Sequence, residues 1–432
     1  MDKYIGNKKA IIKEIHEFLM KKNLESGVFL DVFAGTTNVG QYFKQRGYSI
    51  VSNDINEMSY VLGMAYIKNN EFPKFTKLLD EINDEGFVEN KNEIDEYIEN
   101  LRKKAKAEKI FDENYFDRLK FKEKIIPLAI VLNYLNNLDI DNLNEEESLF
   151  FDYYCKNGKK SSFRSLRGSE GNRNYFTEKN AKKLGKILYT IKTWKKNKIL
   201  KENEFYILLT CVIEEVTLNA NVNGTFHDFN RKKLYPNALI DFKLKPIILN
   251  IYPTGNEFEV YRKDANDLYK EPKIQKLIKD GTESILYIDP PYNFRQYSAY
   301  YHMLNFIAKY HEIEDVITYA NGFEFVRGQN MEDNFTSKYC YRDSFINELT
   351  DLIDNLKTNE ILISYYDENN HWNHGEKTVS MQGRREILSI FEKLNDIVKY
   401  DENPYIIPRL NYQSRVGARK KEVDELLFYA RR

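Results

Sequence analysis

The sequence predicts an α/β chain, a doubly wound parallel sheet with a long, mostly helical insert between its second and third strands. Three observations carry that reading. An apolar strand near the start leads into a glycine turn, a helix and a second strand that ends in an acid. From about residue 69 to 245 the alternation of strand and helix stops, and the pattern becomes helical and highly charged. Strand character then returns and reaches a buried run that ends in two prolines. The expected domains are a first catalytic part, 1–68, a helical insert, 69–245, and a second catalytic part, 246–432.

Composition bounds the class. At 432 residues the chain exceeds one ordinary domain. Hydrophobic residues make up 42% and aromatic residues 14%, enough for a substantial core. The formal net charge is −1, so a nucleic-acid surface would have to come from local patches. Cys155, Cys211 and Cys340 offer neither a disulfide framework nor a zinc spacing, which suits a reducing cytoplasm. The first residues lack the apolar core of a signal peptide, and no apolar run approaches the roughly 18 residues of a membrane span. A soluble, cytoplasmic monomer is expected.

Lys3-Tyr4-Ile5-Gly6-Asn7-Lys8 opens the chain, and a helix follows with Ile11, Ile12, Ile15, Phe18 and Leu19 on one stripe. A Gly-x-Lys turn before a helix can hold an anion, or it can be a plain surface turn. Gly27-Val-Phe-Leu-Asp-Val-Phe33 is a strand, followed by Ala34-Gly-Thr-Thr-Asn-Val-Gly40, where glycines let a ligand approach the backbone. Tyr48-Ser-Ile-Val-Ser-Asn-Asp54 is the second strand. Asp54 lies at the spacing of a ribose-binding acid, and it can also cap the helix that follows.

Within the insert, 80–99 is strongly acidic. Residues 156–198 are crowded with Lys and Arg and interleaved with Phe163, Tyr175, Phe176, Tyr189 and Trp194. Such a block fits phosphate contacts or a solvated face. Asn219-Ala-Asn-Val-Asn-Gly-Thr-Phe226 is a polar turn whose Asn223 and Thr225 could read base edges or only build the turn. Glu257-Phe-Glu-Val-Tyr-Arg-Lys-Asp264 is the next strand, with an acid at its end.

Ser284-Ile-Leu-Tyr-Ile-Asp-Pro-Pro-Tyr292 then runs from a buried strand into a stiff turn, because each proline fixes its own φ and restricts the residue before it. Asp289 and the Pro290 carbonyl are two acceptors, and Tyr292 is an aromatic face. That set suits the exocyclic amino group of a nucleobase. Two acceptors on its hydrogens free a lone pair otherwise conjugated into the ring, and stacking is worth about 1–3 kcal/mol per base. Glu360-Ile-Leu-Ile-Ser-Tyr365 is a further buried strand. His371 and His374 have a metal-like spacing, but no other ligand set accompanies them and no metal is expected. The tail is a basic loop, Asn411 to Lys421, and a final strand from Val423 to Tyr429.

Asp-Pro-Pro-Tyr after an apolar strand resembles the catalytic motif of Dam-like adenine-specific DNA methyltransferases. The longer run Asp-Pro-Pro-Tyr-Asn-x-Arg-Gln-Tyr297 resembles their type II restriction–modification branch. The opening segment resembles that family's Trp/Tyr-x-Gly-Gly-Lys. The glycine turn resembles its Phe-x-Gly-x-Gly-x-x-Gly through Phe33, Gly35 and Gly40, with Thr37 in place of the middle glycine. The resemblance covers roughly residues 3–60 and 255–430.

It implies a Rossmann-like methyltransferase sheet, S-adenosylmethionine as cofactor and double-stranded DNA as substrate, recognised by the insert. A separately acting restriction endonuclease would be a natural companion. Tyr4, Lys8, Asp31, Phe33, Ala34, Gly35, Thr36, Asp54, Asp264 and Asp289 are then the expected cofactor-binding residues. Asp289, Pro290 and Tyr292 become catalytic. Asn223, Thr225, Arg295, Tyr297, Arg415, Arg419 and Lys420 become DNA contacts. RNA methylation, a non-catalytic DNA-binding subunit and a nicotinamide enzyme are the rival readings, and Asp-Pro-Pro-Tyr has no task in the last.

Overall fold

The computed structural model describes residues 4–82, 91–165, 168–252, 255–280, 282–292, 295–366, 370–372, 381–410 and 422–432. It divides into two compact units. One holds Ile5–Gly63, Tyr252–Tyr297 and Phe335–Arg432. The other holds Met1–Tyr4, Met64–Ile251 and Ser298–Asn334. The unit that contains most of the helical segment thus also takes up a stretch that follows the two prolines.

The first unit is built on one sheet. Its strands are Val28–Asp31 (β1), Ser49–Asn53 (β2), Phe258–Tyr261 (β3), Ser284–Ile288 (β4), Glu360–Tyr366 (β5), Lys399–Tyr400 (β6), Tyr405–Leu410 (β7) and Glu422–Arg431 (β8). Their order is β6-β8-β5-β4-β1-β2-β3, with β7 also paired to β8. Strands β3, β2, β1, β4 and β5 are parallel, and β8 runs antiparallel to β5. β1, β4 and β5 are buried at every position. Parallel strands covered on both faces need apolar residues on both, which is why these runs read as continuous rather than alternating.

Successive side chains of β1 go to opposite layers. Val28 and Leu30 join Val51, Leu286 and Ile288 in a core closed by Ile274, Ile278, Phe345, Leu349 and Leu352. Phe29 instead stacks on Phe43 with ring centroids 4.1 Å apart, and meets Tyr287 at 5.6 Å. The opening helix, Ile12–Lys21, buries Ile12, Ile15, Phe18 and Leu19, the stripe expected from its spacing.

The chain order reverses beside β1, whose neighbours are β2 on one side and β4 on the other. Such a switch point opens a crevice beyond the carboxyl ends of the strands. One side chain ties those ends together. Asn53 Nδ2 donates to the Val32 carbonyl at 3.2 Å and the Lys263 carbonyl at 3.1 Å, and Asn53 Oδ1 accepts from Lys263 N at 3.1 Å.

The second unit is mainly helical. Glu202–Asn219 is buried nearly all round, as a central helix must be. Glu178–Lys196 packs Ala181, Leu184, Ile187, Leu188, Ile191 and Trp194 inward. A two-stranded hairpin, Ser162–Arg164 with Glu170–Asn172, precedes it.

Asn53→Ala would leave three peptide groups at the ends of β1 and β3, those of Val32 and Lys263, without their side-chain partner, a loss of about 2–3 kcal/mol. The expected outcome is a lowered denaturation midpoint for the sheet unit, followed by urea titration. An unchanged midpoint would show that water replaces the clamp.

Candidate active site

The glycine turn sits where β1 leaves the sheet. Gly35 has φ +50° and Thr37 has φ +61°, both in the left-handed region. A β-branched residue seldom adopts that conformation. Here the turn is held from several sides: Thr37 N donates to Ala34 O at 2.6 Å, Ala34 N to Asn53 O at 2.9 Å, and Gln41 Nε2 to Thr37 Oγ1 at 3.1 Å. Thr37 therefore takes up backbone geometry suited to the glycine it replaces. Asp54 braces the same turn. Its Oδ2 accepts from Gly35 N at 2.8 Å, while Oδ1 accepts from the backbone and side-chain nitrogens of Asn56, both at 2.9 Å.

Asp31, at the end of β1, is 1% exposed, and its Oδ2 has no hydrogen-bond partner among the described residues. Burial, then the charges of Asp289 and Asp54, hold its carboxyl well above the usual carboxylate range. Burial likewise raises Asp54. A positive charge brought beside these acids would favour their ionised forms.

Asp289 begins the proline turn after β4, and a chain of alternating charges leads away from it. Lys8 Nζ lies 2.8 Å from Asp289 Oδ1 and 2.6 Å from Glu425 Oε1. Glu425 Oε1 also accepts from Ser364 Oγ at 2.7 Å, and Glu425 Oε2 accepts from Arg409 Nε at 2.9 Å. The side chains of Lys8 and Glu425 are 3% and 0% exposed and that of Asp289 is 14% exposed, so the Lys8–Glu425 pair is desolvated and the Lys8–Asp289 pair largely so. Removing one partner from a buried pair generally costs about 3–5 kcal/mol. Burial pushes Asp289 up to about 6, with Lys8 opposing that rise and Glu425 adding to it.

Tyr292 lies beside this chain. Its ring centroid is 5.3 Å from that of Tyr366 and 6.0 Å from Lys8 Nζ. Gly6, at φ +83°, carries the opening segment past it: a β-carbon there would lie 3.3 Å from Tyr297 Oη and 3.9 Å from Tyr292 Oη.

The remaining expected site residues divide. Phe33 packs its ring edge-on to Tyr339 at 4.9 Å. Ala34 and Thr36 are buried in the turn. Asp264 caps the short helix Ala265–Lys270 through Asn266 N at 3.0 Å. Tyr4 belongs to the helical unit, stacked on Tyr301 at 4.4 Å. Tyr297 Oη is 3.5 Å from the Ile5 carbonyl, and Arg295 is exposed. Arg415, Arg419 and Lys420 lie outside the described residues, as does His374. Both ring nitrogens of His371 are taken, by Tyr365 Oη and the Tyr339 carbonyl at 2.9 Å each. Among the described residues no group of acids, histidines or cysteines could hold a metal.

In the helical unit the basic block separates into two parts. Three of the seven lysines of the helix Glu178–Lys196 pair with acids nearby: Lys179 with Asp241, Lys186 with Glu147 and Lys192 with Glu146. Phe163, Tyr175, Phe176 and Trp194 are interior, so they fill the core rather than form a stacking platform. The polar turn is more open. Asn221 pins it, donating to Asn174 O and Asn230 O and accepting from Tyr235 N. Asn223 is exposed and Thr225 half-buried on that pinned frame. Lys232 and Lys233 are exposed just beyond, their backbone nitrogens held by Asn230 Oδ1.

Asn53, Ser364, Arg409 and Glu425 are structural partners that sequence reading passed over. Glu425 did carry a signal, an acid in the middle of the apolar run Val423 to Tyr429.

Comparison with known proteins identifies the family. The modification methylase StsI of Streptococcus sanguinis is 29% identical over 431 residues, 100% of this chain and 52% of that protein. The type II methyltransferase M.FokI of Planomicrobium okeanokoites is 27% identical over 99% of this chain and 52% of its own length. The chain thus spans about half of these two relatives. The type II methyltransferase M.NlaIII of Neisseria lactamica is 27% identical over 84% of this chain and 83% of its own. No solved structure matches significantly. Over residues 4–160 and 143–381 the sequence fits one family throughout, and the chain belongs to the D12 class N6 adenine-specific DNA methyltransferases.

Proposed function

We propose that this chain is a site-specific DNA adenine methyltransferase, the modification enzyme of a restriction–modification system, which methylates the exocyclic amino group of adenine in double-stranded DNA. The observation that carries this reading is Asp289. It is a largely buried carboxylate, 14% exposed, at the carboxyl end of β4, ion-paired to Lys8 and followed by Tyr292, beside a glycine turn braced by Asp54. A separately acting endonuclease, a monomeric state and a cytoplasmic, DNA-associated location belong to the same reading. Among the described residues no helix is long and apolar enough to cross a membrane.

S-adenosylmethionine, when bound, supplies an electrophilic methyl group on a cationic sulfur. The residues present fit it. The orphaned Asp31 Oδ2 and the raised carboxyl groups around it favour a positively charged ligand. Phe33, Ala34, Gly35 and Thr36 would line it, with Asp54 behind the turn. Tyr4, Lys8 and Asp264 complete the proposed set.

The target adenine would leave the duplex at a cost of a few kcal/mol. Asp289 and the Pro290 carbonyl would accept its two amino hydrogens and draw the nitrogen lone pair out of conjugation. Tyr292 would stack on the ring. Catalysis is then positioning plus electrostatic selection. Asn223, Thr225, Arg295, Tyr297, Arg415, Arg419 and Lys420 are the proposed DNA contacts, and Lys232 and Lys233 join them as exposed cations.

With labelled S-adenosylmethionine and mixed-sequence unmethylated duplex DNA, label should enter the DNA. Asp289→Asn should reduce the rate at least 100-fold, in line with the loss of a preorganised electrostatic group. Transfer to RNA and not to DNA would favour the RNA reading.

The acceptor must be ionised, and Asp289 ionises above about 6. Activity should therefore be full at neutral pH. Below that midpoint kcat/KM should fall, approaching about tenfold per pH unit. An acid limb centred near 4 would contradict the raised carboxyl.

Lys232→Ala/Lys233→Ala should weaken DNA binding across sequences. The slope of log K against log salt should become shallower by up to about 2, at about 0.9 for each phosphate that a lysine no longer neutralises. An unchanged slope would remove this turn from the interface.

A further inference from the structure

The reading of Asp289 as acceptor leaves Glu425 and Arg409 without a task, although they complete the charge chain that ends on it. We propose that Glu425 and Arg409 are positioning residues that act through Lys8 to set the charge Asp289 presents to an incoming amino group. The inference rests on the proposed role of Asp289.

The geometry carries the argument. Lys8 Nζ is shared between two carboxylates, at 2.8 Å from Asp289 and 2.6 Å from Glu425. Its side chain is almost wholly out of water, so these contacts fix its place. Glu425 is itself held by Ser364 from β5 and by Arg409 from β7, while Arg409 lies over the ring of Tyr366 at 5.2 Å. Five elements thus meet around one cation: the opening segment, the β4 turn and β8 and, through Glu425, β5 and the edge strand β7. With both acids ionised, Asp289, Lys8, Glu425 and Arg409 sum to no net charge. An isolated carboxylate so buried would be protonated; one gripped by a whole cation would be a poor acceptor. Sharing Lys8 between two acids holds Asp289 between those limits.

The charged and titratable groups that bear on Asp289 are Lys8, Glu425, Arg409, Tyr292, Tyr287 and Asp31. Of these, Glu425 and Arg409 act with opposite sign: Glu425 raises the Asp289 carboxyl and Arg409 lowers it. Deleting the Glu425 charge lets Lys8 lean fully on Asp289. Deleting Arg409 leaves Glu425 to draw Lys8 away.

The test is the acid limb of kcat/KM, measured with labelled S-adenosylmethionine at saturation and unmethylated mixed-sequence duplex DNA. In Glu425→Gln the limb should move to lower pH by roughly one unit. In Arg409→Gln it should move to higher pH by a smaller amount. Simple loss of packing would lower both rates without shifting the limbs in opposite directions. Limbs that stay in place, or that shift the same way, would overturn the proposal. Should Glu425→Gln fail to fold by circular dichroism, the direction of the Arg409→Gln shift decides alone. Asp289→Asn is the control: full activity there would mean that the reading of Asp289 has failed, rather than the role of Glu425 and Arg409.

Discussion

A lysine held between two buried carboxylates is the interaction on which the carboxyl end of this sheet depends. Without Lys8, Asp289 and Glu425 would be two acids in a desolvated pocket, and burial would protonate or expel at least one of them. With it, an acceptor can stand at the mouth of β4 near neutral pH. The same contact ties the opening segment to β4 and β8, elements more than 100 residues apart in the chain. Burial makes the arrangement sensitive: a buried pair adds little net stability, yet breaking it is costly. Its worth here is placement of charge.

The parallel sheet prepares that placement. Because β1 lies between β2 and β4, the glycine turn and the proline turn emerge on either side of one crevice. Asn53 and Asp54, adjacent in sequence, do the bracing. Asn53 joins the ends of three strands, and Asp54 holds the Gly35 nitrogen. Local strain at Thr37 is tolerated because its neighbours over-determine the turn.

Much of the sheet was legible in the sequence, since fully buried parallel strands write themselves as apolar runs and Asp-Pro-Pro-Tyr marks its own strand end. The opening helix was equally plain from its stripe. What stayed hidden was pairing at long range. Nothing local says that Lys8 meets Glu425, 417 residues away. Local composition is also incomplete in the helical unit. A run of lysines on Glu178–Lys196 looks like a phosphate surface, but Asp241, Glu147 and Glu146 answer three of them. Asp264 and His371 likewise have local partners, which spacing alone could not decide.

The central claim is that Asp289 belongs to a buried, charge-shared group rather than to an ordinary surface turn. It is tested most directly by carbon-13 NMR titration of the carboxyl groups in aspartate-labelled protein, with the Asp289 signal assigned from Asp289→Asn. The account predicts a midpoint near 6. A midpoint at or below the ordinary value for aspartate, about 3.9, would contradict it.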